Sequence, residues 1–418
     1  MIATLMTFES LFMILACLII LKGFIGVLEG SRYLDYVRRH LVRLPSPWMP
    51  PASVIIPCKG LDHELAENIK AVCKQVYPFF EVLLVTAAED DPSRPLLKTM
   101  LESFPGHRIK ILTAGISEER GEKVNNLIQA ITLADPSSEV FVFADADSRP
   151  HLNWLQALIA PLQDARIGLS TGYRWYFPER GNTAGVFRSA WNASVATLLG
   201  DHARNFAWGG SMAIRRSTFE RAKVLRYWSD SLSDDYSMTQ AMRDSKLRIH
   251  YEPRCLVGSF GKCSWRELLE WSTRQIIITH FYSQKLWRLA FFSQSSFIVV
   301  WWVSLWISIE SLSRIGGGGT NSAAQAKMAF SRYGSIVVLI FILGIARGWL
   351  RTKTIQEIFP DQRQEIRRFW WGYTLLFPLV STLTGYNLLV SAFVTSLEWR
   401  GIRYEFQSGG KLKVTRSG

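Results

Sequence analysis

Two aspartates separated by one residue, Asp145 and Asp147, directly follow an apolar run at residues 141–144. A run that is apolar at every position is typical of a strand buried in a parallel sheet, and open α/β sheets bind ligands at the carboxyl ends of their strands. Residues two apart on an extended chain point to the same side, so both carboxylates can face one ligand. Carboxylate oxygens suit Mg²⁺ or Mn²⁺ bound to substrate phosphates. The pair therefore predicts a divalent-metal site, although the pattern alone also fits a solvated loop or a helix cap.

Acidic residues also follow a second strand-like run, at residues 82–85, where Asp90 and Asp91 precede a proline. An Asp-Pro step before a helix is also an ordinary helix start. Farther along the chain, Asp234 and Asp235 open a stretch with helical spacing. A carboxylate at this point can act as a general base that accepts the proton of an acceptor hydroxyl. Ser233 or Asp234 also fits a simple helix N-cap, so the sequence leaves both roles open.

A glycine pair lies between these acidic groups, at Gly209 and Gly210, just before a strand-like run. Glycines allow the backbone to approach a ligand closely, and a plain turn is the alternative. The aromatic stretch at residues 173–177 offers rings that could stack on a sugar or a uracil, or simply pack in a sheet. Both features are compatible with a ligand site at the strand ends.

The elements that would position these residues lie within residues 51–270. Here short apolar or β-branched runs alternate with stretches of helical spacing. This alternation predicts an α/β fold with a mixed, mostly parallel sheet flanked by helices. No G-x-G-x-x-G follows the first predicted strand, so the dinucleotide-binding fingerprint is absent.

Apolar runs of membrane length flank this domain, one before it and three after it. The first is long enough to cross a hydrocarbon core of roughly 30 Å, and the arginines that follow it place the domain in the cytosol by the positive-inside rule. If all three later runs cross, the basic tail at residues 399–418 lies outside. A broken or re-entrant last run, which Pro378 and Gly385 would allow, returns the tail to the cytosol. The four runs are residues 10–28, 289–309, 330–349 and 371–393.

The composition also favours a protein that works at a membrane. The 418 residues carry a net charge of +13, are 48% apolar and include 16 tryptophans, and basic and indole side chains are typical of the membrane interface. Nucleic-acid binding is the rival interpretation of a basic chain. Because the basic residues flank apolar runs and form no arginine-aromatic patch, we expect no nucleic-acid partner. The five cysteines include no C-x-x-C pair, so we expect neither a disulfide framework nor a zinc site.

Taken in order, the motifs resemble those of GT-A glycosyltransferases of the family 2 type, above all ceramide glucosyltransferases and their bacterial relatives. The family's Pro-x-Lys-Gly is matched at Lys59, its Asp-Asp-Pro at Asp90 and Asp91, its Lys-x-Asn-Asn-Leu at Lys123, and its Glu-Asp-Tyr at residues 234–236. The resemblance implies a nucleotide-diphospho-sugar transferase fold. It also implies a multi-pass membrane protein, in a bacterial inner membrane, whose catalytic domain is cytosolic.

The resemblance also implies a role for each matched residue. Asp91 would contact the nucleotide base or ribose, while Asp145 and Asp147 would contact the diphosphate through Mg²⁺ or Mn²⁺. Asp235 would be the base of an inverting displacement. Of the family's (Q/R)-x-x-R-W motif only Arg274 is retained, which leaves a diphosphate contact but weakens any inference about acceptor choice. The implied donor-binding residues are Lys59, Asp90, Asp91, Lys123, Asp145 and Gly210, the implied metal ligands are Asp145 and Asp147, and the implied catalytic residues are Asp235, Asp234 and Arg274.

The leading hypothesis is transfer of a hexose, with UDP-glucose as the expected donor, to a hydroxyl group of a membrane lipid such as ceramide. A processive polysaccharide synthase and a polyprenyl-phosphate glycosyltransferase are the alternatives. A non-catalytic membrane scaffold fits least well, because the acidic set is complete. The sequence gives no indication of oligomeric state. The expected segments are an anchor (1–30), a basic juxtamembrane segment (31–50), a cytosolic GT-A domain (51–270), an interfacial helix (271–288), C-terminal membrane segments (289–398) and a basic tail (399–418).

Overall fold

The protein is represented by a computed structural model that describes residues 2–43, 46–62, 64–317, 320–407 and 412–416. The chain divides into two compact units, which we call the sheet unit and the helical unit. The sheet unit comprises Tyr36–Ser283 and Phe393–Gly418, and the helical unit comprises Met1–Asp35 and Gln284–Ala392.

A seven-stranded sheet forms the centre of the sheet unit. Its strands, in chain order, are β1 (Ala52–Pro57), β2 (Phe80–Thr86), β3 (Arg108–Thr113), β4 (Val140–Ala144), β5 (Ile167–Phe177), β6 (Ser211–Arg215) and β7 (Arg248–Phe260). They lie in the order β3-β2-β1-β4-β6-β5-β7. Only β6 runs antiparallel to its neighbours, β4 and β5, while the other pairs are parallel. The predicted mixed, mostly parallel sheet is confirmed.

Both faces of this sheet are covered by apolar side chains. Along β2, Val82 and Leu84 belong to one buried cluster, whereas Leu83 and Val85 belong to another. Because side chains alternate across a strand, a strand that is covered on both faces must be apolar at every position. The helices of this unit are the end of α1 (Ile2–Leu41), then α2 (Leu65–Cys73), α3 (Arg94–Ser103), α4 (Glu122–Leu133), α5 (Trp154–Ile159), α6 (Thr183–Ala196), α7 (Arg216–Arg221), α8 (Val224–Trp228), α9 (Asp234–Asp244) and α10 (Trp265–Tyr282).

The strand directions create one edge, which we call the rim, where β1, β2 and β4 all end. Since β6 is antiparallel to β4, its first residue Ser211 pairs with Ala144, the last residue of β4. Gly210 therefore lies beside Asp145. Strand β5 continues beyond the point where Thr171 pairs with β6, and this extension carries Arg174 to the same rim.

The C-terminal tail folds onto the sheet unit as a second, three-stranded antiparallel sheet. Its strands are β8 (Ser396–Trp399), β9 (Ile402–Phe406) and β10 (Leu412–Arg416). Ile402 and Tyr404 are buried in a cluster with Leu232 and Ile277, which belong to the loop before α9 and to α10. The tail is thus an integral part of the unit that carries the rim.

We expect Tyr404→Ala to detach this second sheet. The Tyr404 side chain is 1% exposed, and truncating a buried aromatic side chain costs about 3–5 kcal/mol of folding free energy. Thermal unfolding and limited proteolysis of the detergent-solubilised protein would check this, with cleavage after residue 395 as the expected new product. Tyr404→Phe is the matched control, because it retains the packing and loses only a 3.4 Å hydrogen bond from the Glu122 amide. Unchanged protease resistance in Tyr404→Ala would show that the tail is held by other contacts.

The helical unit contains the rest of α1 together with α11 (Gln284–Gly317), α12 (Thr320–Ile358), α13 (Arg363–Arg368), α14 (Trp370–Thr374) and α15 (Phe377–Ser391). Within the part of the chain that the structure describes, three helices are long and apolar enough to cross a membrane, at Phe8–Leu41, Gln284–Ile315 and Ala323–Ile358. These agree with three of the four predicted runs.

The fourth run, at residues 371–393, is broken into α14 and α15. Pro378 lacks the N–H that would bond to the carbonyl of Thr374, so α14 does not continue past Thr374, and Pro378 lies in the first turn of α15. Helix α15 has 15 residues, a length of roughly 22 Å, which is less than the roughly 30 Å hydrocarbon core. The structure therefore has the broken form of this run that the sequence left open.

Candidate active site

Asp145 and Asp147 lie at the rim, immediately after β4, as their spacing predicts. Their side chains are 21% and 41% exposed, respectively. Both carboxylates converge on a single guanidinium, that of Arg174 on β5. Arg174 Nη2 donates to Asp145 Oδ2 at 2.7 Å and to Asp147 Oδ1 at 2.8 Å, and Nη1 donates to Asp147 Oδ2 at 2.8 Å. The carboxylate pair is thus arranged around one cationic centre.

Sequence reasoning did not single out Arg174, because the aromatic residues around it pointed to stacking or sheet packing. A signal was nevertheless present, since Arg174 is the only charged residue in strand β5, Ile167–Phe177. Its guanidinium also lies 4.9 Å from the ring centre of Trp208 and donates to the Tyr176 hydroxyl at 2.9 Å. A charged side chain that is buried needs a partner of opposite charge, so Arg174 indicates that acidic side chains lie nearby.

Lys123, near the start of α4, links Asp145, which follows β4, to Asp234, the first residue of α9. Its ammonium lies 2.8 Å from Asp145 Oδ1 and 3.1 Å from Asp234 Oδ2. Burial lowers the pKa of Lys123, but Asp145 and Asp234 outweigh this effect and raise it above its ordinary value. Lys123 is therefore a permanent positive charge that holds two carboxylates, far apart in the sequence, at one point.

The two aspartates bound by Lys123 differ in their electrostatics. Burial would raise the pKa of Asp145, but Lys123 and Arg174 together lower it, so this carboxylate is firmly ionised. Burial raises the pKa of Asp234 to about 6; Lys123 opposes the shift, and Asp235 and Asp145 add to it. Asp234 is buried and faces the single ammonium it shares with Asp145, whereas Asp145 also has a guanidinium.

Asp235 is the more accessible member of the second acidic pair. Its Oδ1 accepts hydrogen bonds from the Ser233 hydroxyl and, at 2.8 Å, from the Tyr236 amide. Ser233 is the N-cap of α9 and accepts from the same amide. Of the two candidate cap residues, the structure has Ser233 in that position, and it orients Asp235 through Oδ1. No hydrogen bond to Asp235 Oδ2 is present among the described residues.

Helix α10 fixes the loop from which both aspartates emerge. The Tyr282 hydroxyl accepts a hydrogen bond from the Leu232 amide at 2.7 Å, and the Tyr236 and Thr279 hydroxyls lie 2.7 Å apart. These contacts position the start of α9 against α10, which also carries Arg274.

The glycine pair packs directly against the charged cluster. A Cβ at Gly209 would lie 1.9 Å from Asp234 Oδ2, and one at Gly210 would lie 2.5 Å from Asp145 Oδ2. Neither position has room for a side chain without moving an aspartate. The predicted close approach is thus between the backbone and the acidic side chains of the rim.

Gly209→Ala is expected to lower the catalytic rate by about a hundredfold, because a displacement of around 1 Å among groups that act on a substrate has an effect of that size. The added carbon would force Asp234 away from Lys123. Initial rates and melting temperatures of the purified variants would check this. Gly334→Ala in α12 is the control, since its Cβ would meet nothing closer than 3.8 Å. Full activity in Gly209→Ala would mean that the Asp234–Lys123 pair can be moved without consequence.

The other residues predicted to bind the sugar donor lie in the loops after β1 and β2. Asp91 Oδ1 accepts from the Gly60 amide at 2.9 Å and from Ser93, so it joins the two loops. Lys59 pairs with Glu122 at 2.9 Å. Asp90 is exposed, and no contact in the described residues ties it to the cluster.

The C-terminal sheet reaches these loops through arginines that sequence reasoning did not assign to the site. Arg400 donates to the Lys59 carbonyl at 2.6 Å and pairs with Asp62. Arg416 pairs with Glu122 at 2.8 Å, next to Lys123 in the chain. These contacts join residues hundreds of positions apart, so no local pattern could reveal them.

Arg274 lies on α10 with its guanidinium 5.0 Å from the ring centre of Trp399, on the C-terminal sheet. Burial is the main cause that lowers the pKa of Arg274 to about 10; Arg400 and Arg174 contribute to the shift, and Tyr176 opposes it. Among the described residues no carboxylate lies within ion-pair distance of Arg274. A half-buried cation without an acidic partner, beside two other arginines, is suited to an anionic ligand.

A separate cluster of His40, His250 and Glu252 has ligand atoms within 4.8 Å of one another. Both oxygens of Glu252 already accept hydrogen bonds from Arg254, at 2.8 and 3.2 Å. An arginine at this distance opposes a second cation, so we assign this cluster to the packing of α1 against β7.

Comparison with known proteins places this chain in a family. The model of glycosyl transferase family 21 matches residues 18–412 of the chain. The chain belongs to glycosyl transferase family 21. This confirms the predicted enzyme class, the GT-A type of fold and the kinship with ceramide glucosyltransferases.

Individual relatives match the glycosyltransferase over shorter stretches. Ceramide glucosyltransferase 1 of Caenorhabditis elegans is 28% identical over 125 residues, which are 30% of this chain and 27% of the relative. Ceramide glucosyltransferase 3 of the same organism is 29% identical over 98 residues, 23% of this chain and 21% of the relative. Glycosyltransferase AglE of Haloferax volcanii is 22% identical over 175 residues, 41% of this chain and 55% of the relative. The chain thus matches about a quarter of the length of the two ceramide glucosyltransferases.

Solved structures resemble the glycosyltransferase more distantly. A mannosyltransferase from Pyrobaculum calidifontis in complex with GDP-mannose and Mn²⁺ is 16% identical with a TM-score of 0.46, over 91% of this chain and 97% of that chain. Glucosyl-3-phosphoglycerate synthase from Mycobacterium tuberculosis, with Mn²⁺ and UDP-glucose, is 14% identical with a TM-score of 0.37, over 60% and 82%. TM-scores below 0.5 support no inference about function.

Proposed function

We propose that this glycosyltransferase transfers a hexose from a UDP-sugar, with UDP-glucose as the expected donor, to a hydroxyl group of a membrane lipid such as ceramide. The convergence of Asp145, Asp147 and Asp234 on Lys123 and Arg174 at one rim carries the proposal. The family membership and the matches to ceramide glucosyltransferases support the choice of donor and acceptor classes.

Asp145 and Asp147 fit a divalent ion, Mg²⁺ or Mn²⁺. Their oxygens are hard ligands of the kind that these ions prefer, both carboxylates converge on one point, and the Asp147 side chain is 41% exposed. When bound, such an ion would neutralise the charge that develops on the departing diphosphate. Asp145 and Asp147 would hold it there.

The basic side chains near the acidic pair also support binding of a diphosphate. Lys123 and Arg174 contact the acidic pair. Arg274 lies close enough to Arg174 for that charge to lower its pKa, and it has no carboxylate partner in the described residues. Arginine and lysine side chains stabilise phosphate oxygens through charge-assisted hydrogen bonds. These three residues would bind the donor diphosphate and hold it in place as UDP leaves.

Asp235 is the proposed general base. Its Oδ1 is held by Ser233 and the Tyr236 amide, which leaves Oδ2 to accept the proton of the acceptor hydroxyl. The hydroxyl oxygen then forms a bond to the anomeric carbon, the bond from that carbon to the diphosphate breaks, and the configuration inverts. Asp234 is buried against Lys123 and Gly209, so its proposed role is to hold the lysine.

The proposed location is a bacterial inner membrane, with the catalytic unit in the cytosol. The arginines after the first apolar run support this side by the positive-inside rule. The basic tail packs on the same sheet unit through Ile402 and Tyr404, so the tail and the rim must share one side. An acceptor that is already in the bilayer explains why the catalytic unit is tied to membrane helices.

Transfer of radiolabelled glucose to lipids tests the proposed function. The purified full-length protein would be incubated in detergent with UDP-glucose and, separately, ceramide, diacylglycerol or polyprenyl phosphate. A single-sugar glycolipid formed from ceramide, or from another hydroxyl lipid, is the expected product. A long polymer would support the processive alternative instead, and transfer to polyprenyl phosphate alone would change the acceptor class. UDP-sugar binding without any transfer to these acceptors would contradict the proposal.

A further inference from the structure

Cations of the chain itself already contact every oxygen of the Asp145 and Asp147 carboxylates. Lys123 binds Asp145 Oδ1 at 2.8 Å. Arg174 binds Asp145 Oδ2 at 2.7 Å and both oxygens of Asp147 at 2.8 Å. A divalent ion at this site would need some of the same oxygens. The guanidinium of Arg174 therefore lies where it competes with the ion.

Arg174 is held in this position by contacts of its strand with α6 and with Trp208. Its backbone carbonyl accepts a hydrogen bond from Asn192 at 2.9 Å, its side chain is 11% exposed, and the Trp208 ring lies 4.9 Å from its guanidinium. The contacts to the carboxylates satisfy only part of the group, because Nε is buried and has no hydrogen-bond partner in the described residues. A ligand that offered more acceptor oxygens would satisfy the guanidinium better.

A nucleoside diphosphate is such a ligand. Guanidinium groups bind phosphate oxygens through the same paired, charge-assisted hydrogen bonds that they form with carboxylates. Without Arg174, Lys123 would be the only cation among the described residues that pairs with Asp145 and Asp234, and it would have to offset the repulsion between these carboxylates alone. When no nucleotide is bound, the rim therefore needs Arg174 to offset the repulsion between the carboxylates. When a nucleotide and a divalent ion are bound, the carboxylates must be released from Arg174.

We propose that Arg174 is an internal counter-ion that holds Asp145 and Asp147 together in the free enzyme and moves to the donor diphosphate when the nucleotide binds. This deepens the proposed function and rests on it. In the free enzyme Arg174 weakens the binding of a divalent cation. Once Arg174 has turned to the diphosphate, the carboxylates are open to the cation, so the nucleotide and the cation bind cooperatively.

Binding of Mn²⁺ to the full-length, detergent-solubilised protein tests this role without reference to turnover. Free Mn²⁺ would be measured by electron paramagnetic resonance during titration of wild type, Arg174→Met and Arg188→Met, each with and without UDP. Arg188 is the matched control, because its guanidinium lies 4.4 Å from the ring centre of Tyr176, which Arg174 also contacts. It forms no ion pair with Asp145 or Asp147.

In the absence of UDP, Arg174→Met is expected to bind Mn²⁺ at least about tenfold more tightly than wild type, the change that loss of one charge-assisted competing contact would give. UDP should tighten Mn²⁺ binding strongly in wild type and in Arg188→Met, and less in Arg174→Met. Arg174→Lys, which keeps the charge but cannot form the paired contact, should fall between them and also serves if Arg174→Met does not fold.

The Asp145→Asn variant distinguishes failure of the counter-ion role of Arg174 from failure of the proposed metal site. If wild type binds Mn²⁺, Asp145→Asn does not, and Arg174→Met binds it no more tightly than wild type, the counter-ion role is overturned while the metal site stands. If Mn²⁺ binding is absent from every variant, with and without UDP, both the counter-ion role and the metal-dependent part of the proposed function are overturned.

Discussion

Asp235→Asn is expected to lower kcat by about 10²–10⁴, the range that a positioned general base contributes, and to leave UDP binding unchanged. Asparagine keeps the size of the side chain and can still accept the hydrogen bond from the Tyr236 amide, which is 2.8 Å away. It cannot take a proton from the acceptor. Initial rates at saturating donor and acceptor, together with UDP affinity by calorimetry, would measure the two effects separately.

Two controls make the result specific to Asp235. Asp230→Asn removes an exposed carboxylate in the same loop and should retain the wild-type rate. Asp234→Asn should instead weaken UDP binding, since Asp234 holds Lys123 at 3.1 Å. If Asp234→Asn abolishes turnover with UDP affinity intact, while Asp235→Asn stays active, the base is Asp234 and the roles must be exchanged.

Removal of divalent metal is expected to lower the transfer rate by at least about 10³-fold, because Lewis-acid stabilisation of a departing diphosphate is worth several kcal/mol. Asp145 and Asp147 are the carboxylates that would hold the ion. Thorough chelation with EDTA should stop transfer, and Mg²⁺ or Mn²⁺ should restore it to wild-type protein. Asp145→Asn and Asp147→Asn should not recover.

The pattern of recovery identifies the site of the ion. Activity that survives chelation would mean that Lys123, Arg174 and Arg274 stabilise the leaving group without a metal, and the metal assignment would be wrong. Activity that is lost on chelation but regained by both variants would place the ion elsewhere.

Much of the fold and part of the site could be predicted from local patterns. The apolar run before Asp145 predicts a buried strand. The prediction succeeds because β4 is covered by apolar side chains on both faces. The helical spacing after Asp234 predicts α9, and the acidic residues at strand ends predict a shared rim. Each of these inferences depends on residues that are close in the sequence.

The rest depends on contacts between distant segments. Arg174 meets Asp145 only because β5 and β4 flank the antiparallel β6, and Trp399 reaches Arg274 only because the tail folds back onto α10. The missing side chain of Gly209 leaves room for Asp234, which comes 25 positions later in the sequence. Pairings of this kind have no sequence period, so no local pattern contains them.

Affinity for UDP in the presence of Mn²⁺ tests most directly whether the nucleotide binds at the rim, where Lys123 pairs with Asp145. Calorimetric titration of wild type, Asp145→Asn, Lys123→Met and Asp235→Asn would supply it. We predict that Asp145→Asn and Lys123→Met bind UDP at least about tenfold more weakly, as expected when one member of a buried charge pair is lost, and that Asp235→Asn binds like wild type. Wild-type affinity in Asp145→Asn and Lys123→Met would show that the nucleotide binds away from this rim.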